Sequence, residues 1–244
     1  MKTDHEKPAP RQLSNHLVEP LPSGMAPQRA ILKGRFVCLE PVDPSVHAGE
    51  LYDASHCNAK ALKIWEYIPH GPWIDKASFE QWLRYTVNQV ENVAFAIRSE
   101  DTGKATGMVQ YHHIEPKSGV VEIGGIWFAP EFRRTRGATE VLFLVLSHAM
   151  DDLNYRRVQW RCDTHNERSR AAVKRLGFGF EGIFYNESIV KGKNKDTAWY
   201  SLLDYEWPEV KEKIMTWLAD DNFDDDGQAK TSLSEMTTNR VASE

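Results

Sequence analysis

Residues 138–153, ATEVLFLVLSHAMDDL, restrict the folds open to this chain more than any other stretch. Placed on a helix, their apolar side chains fall on nearly every side, and such a helix persists in water only when other elements bury it. The flanking runs supply a cover. GVVEIGGIWFA (119–129) precedes the helix and RRVQWRCD (156–163) follows it, the second alternating inward and outward over Val158, Trp160 and Cys162. That period of two marks strands. Strand, buried helix and strand in succession read as a βαβ crossover.

The remaining segments build around that unit. RFVCLEPVD (35–43) reads as a strand, followed by two helical stretches separated by the loop YIPHGPWID (67–75). In the second stretch Phe79, Trp82 or Leu83, Thr86 and Val90 recur at helical spacing. VAFAIRS and TGMVQYHHI form a hairpin around residues 101–103, and strict alternation along the latter sends His112 and His113 to opposite faces. NERSRAAVKRL is a short helix ending at Gly177, where a left-handed cap is expected. FEGIFYNESIVKG and DTAWYSLLDYEW are two further strands, with a closing helix after Pro208. The pattern is α+β, with a folded body over residues 30–219. The Pro-rich, polar residues 1–29 and the acidic, aperiodic residues 220–244 read as disordered, solvated tails.

Composition narrows the class. Of 244 residues, 41% are hydrophobic and 27% charged, the balance of a soluble globular protein, and no apolar run reaches the ~20 residues of a membrane span. The N-terminal residues lack the apolar core of a secretory signal. Cys38, Cys57 and Cys162 are odd in number and widely spaced, which predicts reduced thiols in a cytoplasmic protein and no disulfide framework. No HExxH or Cys/His spacing points to a metal. A formal net charge of −5 argues against general nucleic-acid binding.

Against that acidity, FAPEFRRTRGATE (128–140) concentrates Arg133, Arg134 and Arg136 where the buried helix begins. Free amides and the positive end of the helix dipole meet there, guanidinium groups pair with phosphate oxygens, and the small Gly137 and Ala138 let a ligand approach the backbone. The segment lacks the Lys-Ser/Thr ending of a Walker loop and the spacing of a dinucleotide fingerprint. Gly124 and Gly125, inside the preceding strand, suit a bulge that opens the sheet. Asn166 stands at a helix start with Ser169 three residues on, the pattern of an N-cap.

Taken in order, EIGGIWFAPEFRRTRGATE, CDTHNERSRAAVKRLGFGFEG and VKGKNKDTAWYSLLD resemble the GNAT acetyltransferase superfamily, and within it the branch of the RimJ and RimL ribosomal-protein N-acetyltransferases. The resemblance spans roughly residues 35–207. It implies the GNAT fold: a mixed, mostly antiparallel twisted sheet with helices on both faces and a splayed central strand pair. Acetyl-CoA is the implied donor, and transfer passes directly to a primary amine in a ternary complex. The family signature, [Gln/Arg]-x-x-Gly-x-[Gly/Ala], fits in two registers. One uses Arg133, Arg136 and Ala138, the other Arg134, Gly137 and Thr139, each with one departure. The resemblance further implies that the main chain of Ile126, Trp127 and Phe128 pairs with the pantetheine arm. It puts Asn166 and Ser169 against the cofactor, with Ser169 as the acid that serves the leaving sulfur. Glu187 or Glu122 is the base, with Glu187 favoured by the resemblance. Trp65, Tyr67 and Trp73 are the acceptor wall. The acceptor is a protein N-terminus or a small amine. Two alternatives stand beside this reading: a CoA-binding sensor or scaffold without transfer, and RNA binding through arginines that include Arg156, Arg157 and Arg161. The oligomeric state, monomer or dimer, is left open.

Overall fold

In the computed structural model, which describes residues 6–15 and 17–238, the apolar helix is buried as its composition requires. The chain runs β1 (Leu32–Lys33), β2 (Val37–Pro41), α1 (Pro44–His56), α2 (Ala59–Leu62), a 3-10 turn (Lys63–Glu66), α3 (Lys76–Val87), β3 (Val93–Ser99), β4 (Ala105–Glu115) and β5 (Val120–Phe128). It continues through α4 (Arg136–Ser147), a π-turn (His148–Asp152), β6 (Arg157–Asp163), α5 (Glu167–Arg175), β7 (Gly179–Val190), β8 (Lys193–Leu203), α6 (Trp207–Leu218), a second 3-10 turn (Asp220–Asn222) and α7 (Leu233–Thr238). The strands form one sheet in the order β1-β2-β3-β4-β5-β6-β8-β7. All its pairings are antiparallel except β5 with β6, which the α4 crossover joins in parallel.

Each face of the sheet has its own core. On one, Val141, Val145 and Leu146 of α4 pack among Val109, Tyr111, Val121, Ile123 and Val158. On the other, Leu51, Phe79 and Leu83 of α1 and α3 join Trp65, Ala94, Ala96, Met108 and Trp127. This is the architecture that the resemblance implies, an open mixed sheet with helices on both faces.

Local chemistry sets the boundaries. α4 begins at Arg136, ahead of the apolar run, because the Thr135 hydroxyl accepts from the Ala138 amide at 3.1 Å and caps the first turn. The buried Glu140 carboxylate accepts from the amides of Arg35, Phe36 and Val37 at 2.9, 2.7 and 3.0 Å, fixing the β1–β2 turn to α4. Its Oε2 lies 2.5 Å from where a Cβ on Gly34 would stand, so a side chain there would displace that carboxylate. α3 stops at Val87, and Val90, expected on its buried face, is exposed.

Both tails differ from the sequence expectation over their described parts. In the N-terminal segment the Ala9 amide donates to the Phe180 carbonyl, and Arg11 binds Glu181, Ser201 and Glu206. In the C-terminal segment Leu233 is buried and Phe223 meets Trp217 edge-on at 5.2 Å. Isolated apolar residues in polar surroundings carry no periodicity, yet Phe223 and Leu233 find complementary surfaces on the folded body, while Leu13, Leu17 and Leu21 stay exposed. Residues 1–5, 16 and 239–244, also expected to be tail, lie outside the described residues.

Candidate active site

The parallel ladder between β5 and β6 is short: Val120 faces Arg157, Val121 faces Val158 and Glu122 faces Gln159. Beyond it β6 follows β8 as far as Asp163, while β5 follows β4 as far as Phe128. The two strands diverge into a wedge that opens toward the start of α4. Its cause lies in the pairing of β4 with β5, where Met108 faces Trp127 and Gln110 faces Gly124, so that β5 carries one residue more. Gly125 absorbs it at φ 56°, and a Cβ there would stand 2.5 Å from Gln110 Nε2. Only glycine suits the position.

The first turn of α4 lies at the mouth of the wedge. Arg134 is exposed at φ 65°. Arg133 donates from Nε to the Phe128 carbonyl at 3.1 Å, and its burial, together with Arg168 nearby, lowers its pKa. Phe128 therefore has its carbonyl engaged by protein. Arg136 is placed differently. Its guanidinium lies 4.5 Å from the Phe36 ring centre and 4.2 Å from that of Phe223, donates to the Leu218 carbonyl and pairs with Asp220 at 2.8 Å. The C-terminal segment has recruited this side chain, leaving only the Arg136 main chain at the helix start. Thr139 is likewise buried, its hydroxyl accepting from Arg175 at 3.0 Å. Gly137 and Ala138 are buried in the first turn, with Phe132 Cζ 3.0 Å from a Cβ built on Gly137.

On this same face stands the start of α5. Asn166 caps it through Oδ1, which accepts from the Ser169 amide at 3.1 Å. The Ser169 oxygen accepts from the Trp160 indole N–H at 2.9 Å. Burial pushes the Cys162 thiol up to about 11, which suits a packed residue rather than a nucleophile.

The opposite face carries a charged cluster. Glu122 is buried, with Oε2 2.7 Å from Arg161 and 2.9 Å from His113 Nδ1. Arg161 lies over Trp199, 4.8 Å from the ring centre, and reaches Glu187 at 3.9 Å. Both carboxylates considered as bases thus converge on one guanidinium, Glu122 closely and Glu187 loosely. The two histidines do not separate as alternation demands. The β4–β5 register shifts between His112 and Glu115, His113 adopts φ 46°, and its ring meets Glu122, while the His112 ring lies beside Gly124 and the paired Glu122. His112 Nδ1 meets Asn92 Oδ1 at 2.9 Å, and burial, followed by the nearby His113 and Arg161 charges, lowers its pKa to about 4.

The aromatic loop closes this side. Trp65 is buried against Trp73 and Trp127 at centroid distances of 4.8 and 5.5 Å, so it belongs to the core. Tyr67 and Trp73 are half-buried, and the Tyr67 hydroxyl donates to the His165 carbonyl at 3.1 Å. From the turn between β7 and β8, Lys191 donates to the Trp65 carbonyl at 2.5 Å.

Sequence reasoning missed several of these residues. Arg161 was legible, since alternation puts it opposite Trp160 and Cys162, on the face of Glu122. Arg168, Asn92 and Lys191 carry no local signal, because folding alone brings them to the wedge.

Residues 37–179 match the family model described as Acetyltransferase (GNAT) domain. A GCN5-related N-acetyltransferase from Brucella melitensis is 39% identical and superimposes with a TM-score of 0.85 over 90% of this chain and 99% of that one. A probable GNAT-family acetyltransferase from Chromobacterium violaceum is 36% identical, with a TM-score of 0.75 over 82% and 99%. The putative ribosomal N-acetyltransferase YdaF of Bacillus subtilis is 33% identical over 109 residues, 45% of this chain and 59% of its own length. The match thus covers less than two thirds of that curated relative.

Proposed function

The chain belongs to the GNAT family of N-acetyltransferases, and from that premise we propose that it passes acetyl from acetyl-CoA directly to a primary amine held on the Glu122 face of the wedge. The observation that carries this reading is the early end of the β5–β6 ladder at Glu122 and Gln159. It leaves strand edges open on a line from the first turn of α4 to the two carboxylates. The amides of Arg136 and Gly137, with Arg133, Arg134 and Arg168, form the seat for the diphosphate. The β6-facing edge of β5 around Ile126 and Trp127 takes the amide-bearing arm, and Asn166 holds the start of α5 beside it.

Acetyl transfer to nitrogen needs a neutral amine and a leaving sulfur that is not stranded as a bare anion. Ser169 donates to that sulfur. Glu187 takes the amine proton, since Glu122 is committed to Arg161 and His113, while Glu187 stands 3.9 Å from the same guanidinium. Tyr67, bonded to the His165 carbonyl, and Trp73, both half-buried, form the acceptor wall. A peptide N-terminus is the favoured acceptor, in keeping with the RimJ/RimL resemblance and the name of the Bacillus subtilis relative. Reduced thiols at Cys38, Cys57 and Cys162 suit a cytoplasmic setting.

The test is release of free CoA thiol from acetyl-CoA by purified protein across peptides with free N-termini and small primary amines. At least one acceptor should give release that depends on protein. Binding of acetyl-CoA without release anywhere in the panel would leave a sensor or scaffold instead.

A further inference from the structure

Trp160 lies on β6 and is buried, its ring packed edge-on against Phe178 at 6.0 Å. A buried indole N–H usually finds an acceptor, and although those of Trp65, Trp127, Trp199 and Trp217 have none in this structure, that of Trp160 does. Rather than a carbonyl, it takes the side-chain oxygen of Ser169 at 2.9 Å, one turn into α5. A serine hydroxyl has one proton to give and two lone pairs to offer. Once Trp160 fills a lone pair, the rotation of the hydroxyl is restricted and its proton must point elsewhere. Asn166 constrains the same serine from the main chain, through the bond from the Ser169 amide to Oδ1.

We propose that Trp160 is a positioning residue for acetyl transfer: its indole N–H holds the Ser169 hydroxyl as a donor aimed at the leaving sulfur. This rests on the role given to Ser169 above. In the step served, the amine nitrogen bonds to the acetyl carbon, and the C–S bond breaks with both electrons going to sulfur. The surplus proton of the amine goes to the carboxylate base. Ser169 keeps its own proton, lent to the sulfur as a hydrogen bond, so no charge is left on its oxygen. The bond from Trp160 strengthens that donation, because a hydroxyl that accepts a hydrogen bond is polarised toward giving one.

A structural role for Trp160 is separable from this one. Replacing Trp160 with 3-benzothienylalanine keeps the bicyclic shape and puts sulfur in place of the N–H; Trp160→Phe is the encoded counterpart. Thiol release would be followed with acetyl-CoA and the fastest acceptor of the panel above. The analogue should lower kcat about fivefold, the scale of one neutral hydrogen bond, and change the KM for acetyl-CoA by less than about twofold. In a Ser169→Ala background the same replacement should cost nothing further. In proton–nitrogen correlation spectra, the Trp160 indole resonance, assigned by its loss in Trp160→Phe, should move on Ser169→Ala.

Unchanged kcat with the analogue, an equal loss in the Ser169→Ala background, or an indole resonance that stays still would each overturn the proposal. If Ser169→Ala slows turnover while the analogue does not, Trp160 falls and Ser169 stands. If Ser169→Ala itself turns over at the full rate, both fall together.

Discussion

The guanidinium of Arg136 lies between the rings of Phe36 and Phe223 and pairs with Asp220, while Arg133, three residues earlier, reaches the end of β5 beside Arg168. Neighbours in one basic turn therefore have different work, and substitution should separate them. Arg136→Ala removes two cation–π contacts and should cost about 1–2 kcal/mol of stability, with a dissociation constant for acetyl-CoA altered by less than about threefold. Arg133→Ala should weaken acetyl-CoA about tenfold through loss of a charge-assisted contact, with a stability loss of no more than about 1 kcal/mol from its one hydrogen bond to the Phe128 carbonyl. Calorimetric binding and thermal melts of both variants read this directly. Equal losses of affinity would return the Arg136 side chain to the diphosphate seat. The sequence shows three arginines and an anion-binding helix start. It cannot show which guanidinium the rest of the chain will claim, since Phe223 and Asp220 lie more than eighty positions away from Arg136.

At the scale of elements, a single inserted residue in β5 and a shifted register in β4 shape the site. The double glycine made the first legible. The second was hidden, because nothing local to HHIE marks a residue that will take φ 46°. One consequence is thermodynamic. His112 is held neutral by burial beside His113 and Arg161, with a pKa near 4, below the ~6.5 of an unfolded histidine. Between those values the unfolded chain binds the proton and the folded one does not, so stability falls as pH drops from about 6.5 toward 4 and is intact above that window. The full loss is up to about 3 kcal/mol. His112→Gln should flatten this part of the profile, measured as the urea midpoint at pH 7 and pH 5. A variant whose midpoint falls as steeply as the parent's between those pH values would show that His112 does not drive the loss.

Across the whole molecule, the described ends of the chain are fastened to the body. Arg11 ties the N-terminal segment to Glu181 and Glu206, and the C-terminal segment places Phe223 on Trp217 and Leu233 in the core. Truncation after Ala219 should therefore cost about 3 kcal/mol through the apolar area of those two residues, lowering the melting temperature by about 5 °C or more. A melt unchanged by the truncation would return residues 220–238 to the status of a solvated tail. The order of elements, the burial of α4 and the bulge before it were fixed by the amino-acid sequence alone, because period, apolar content and glycine act over a few residues. The folding of the chain in space decided the rest: which arginines remain free for a ligand, how both histidines come to Glu122, and where the ends attach. Those outcomes depend on contacts between residues far apart in sequence, and no local pattern encodes a partner that only the closed sheet brings within reach.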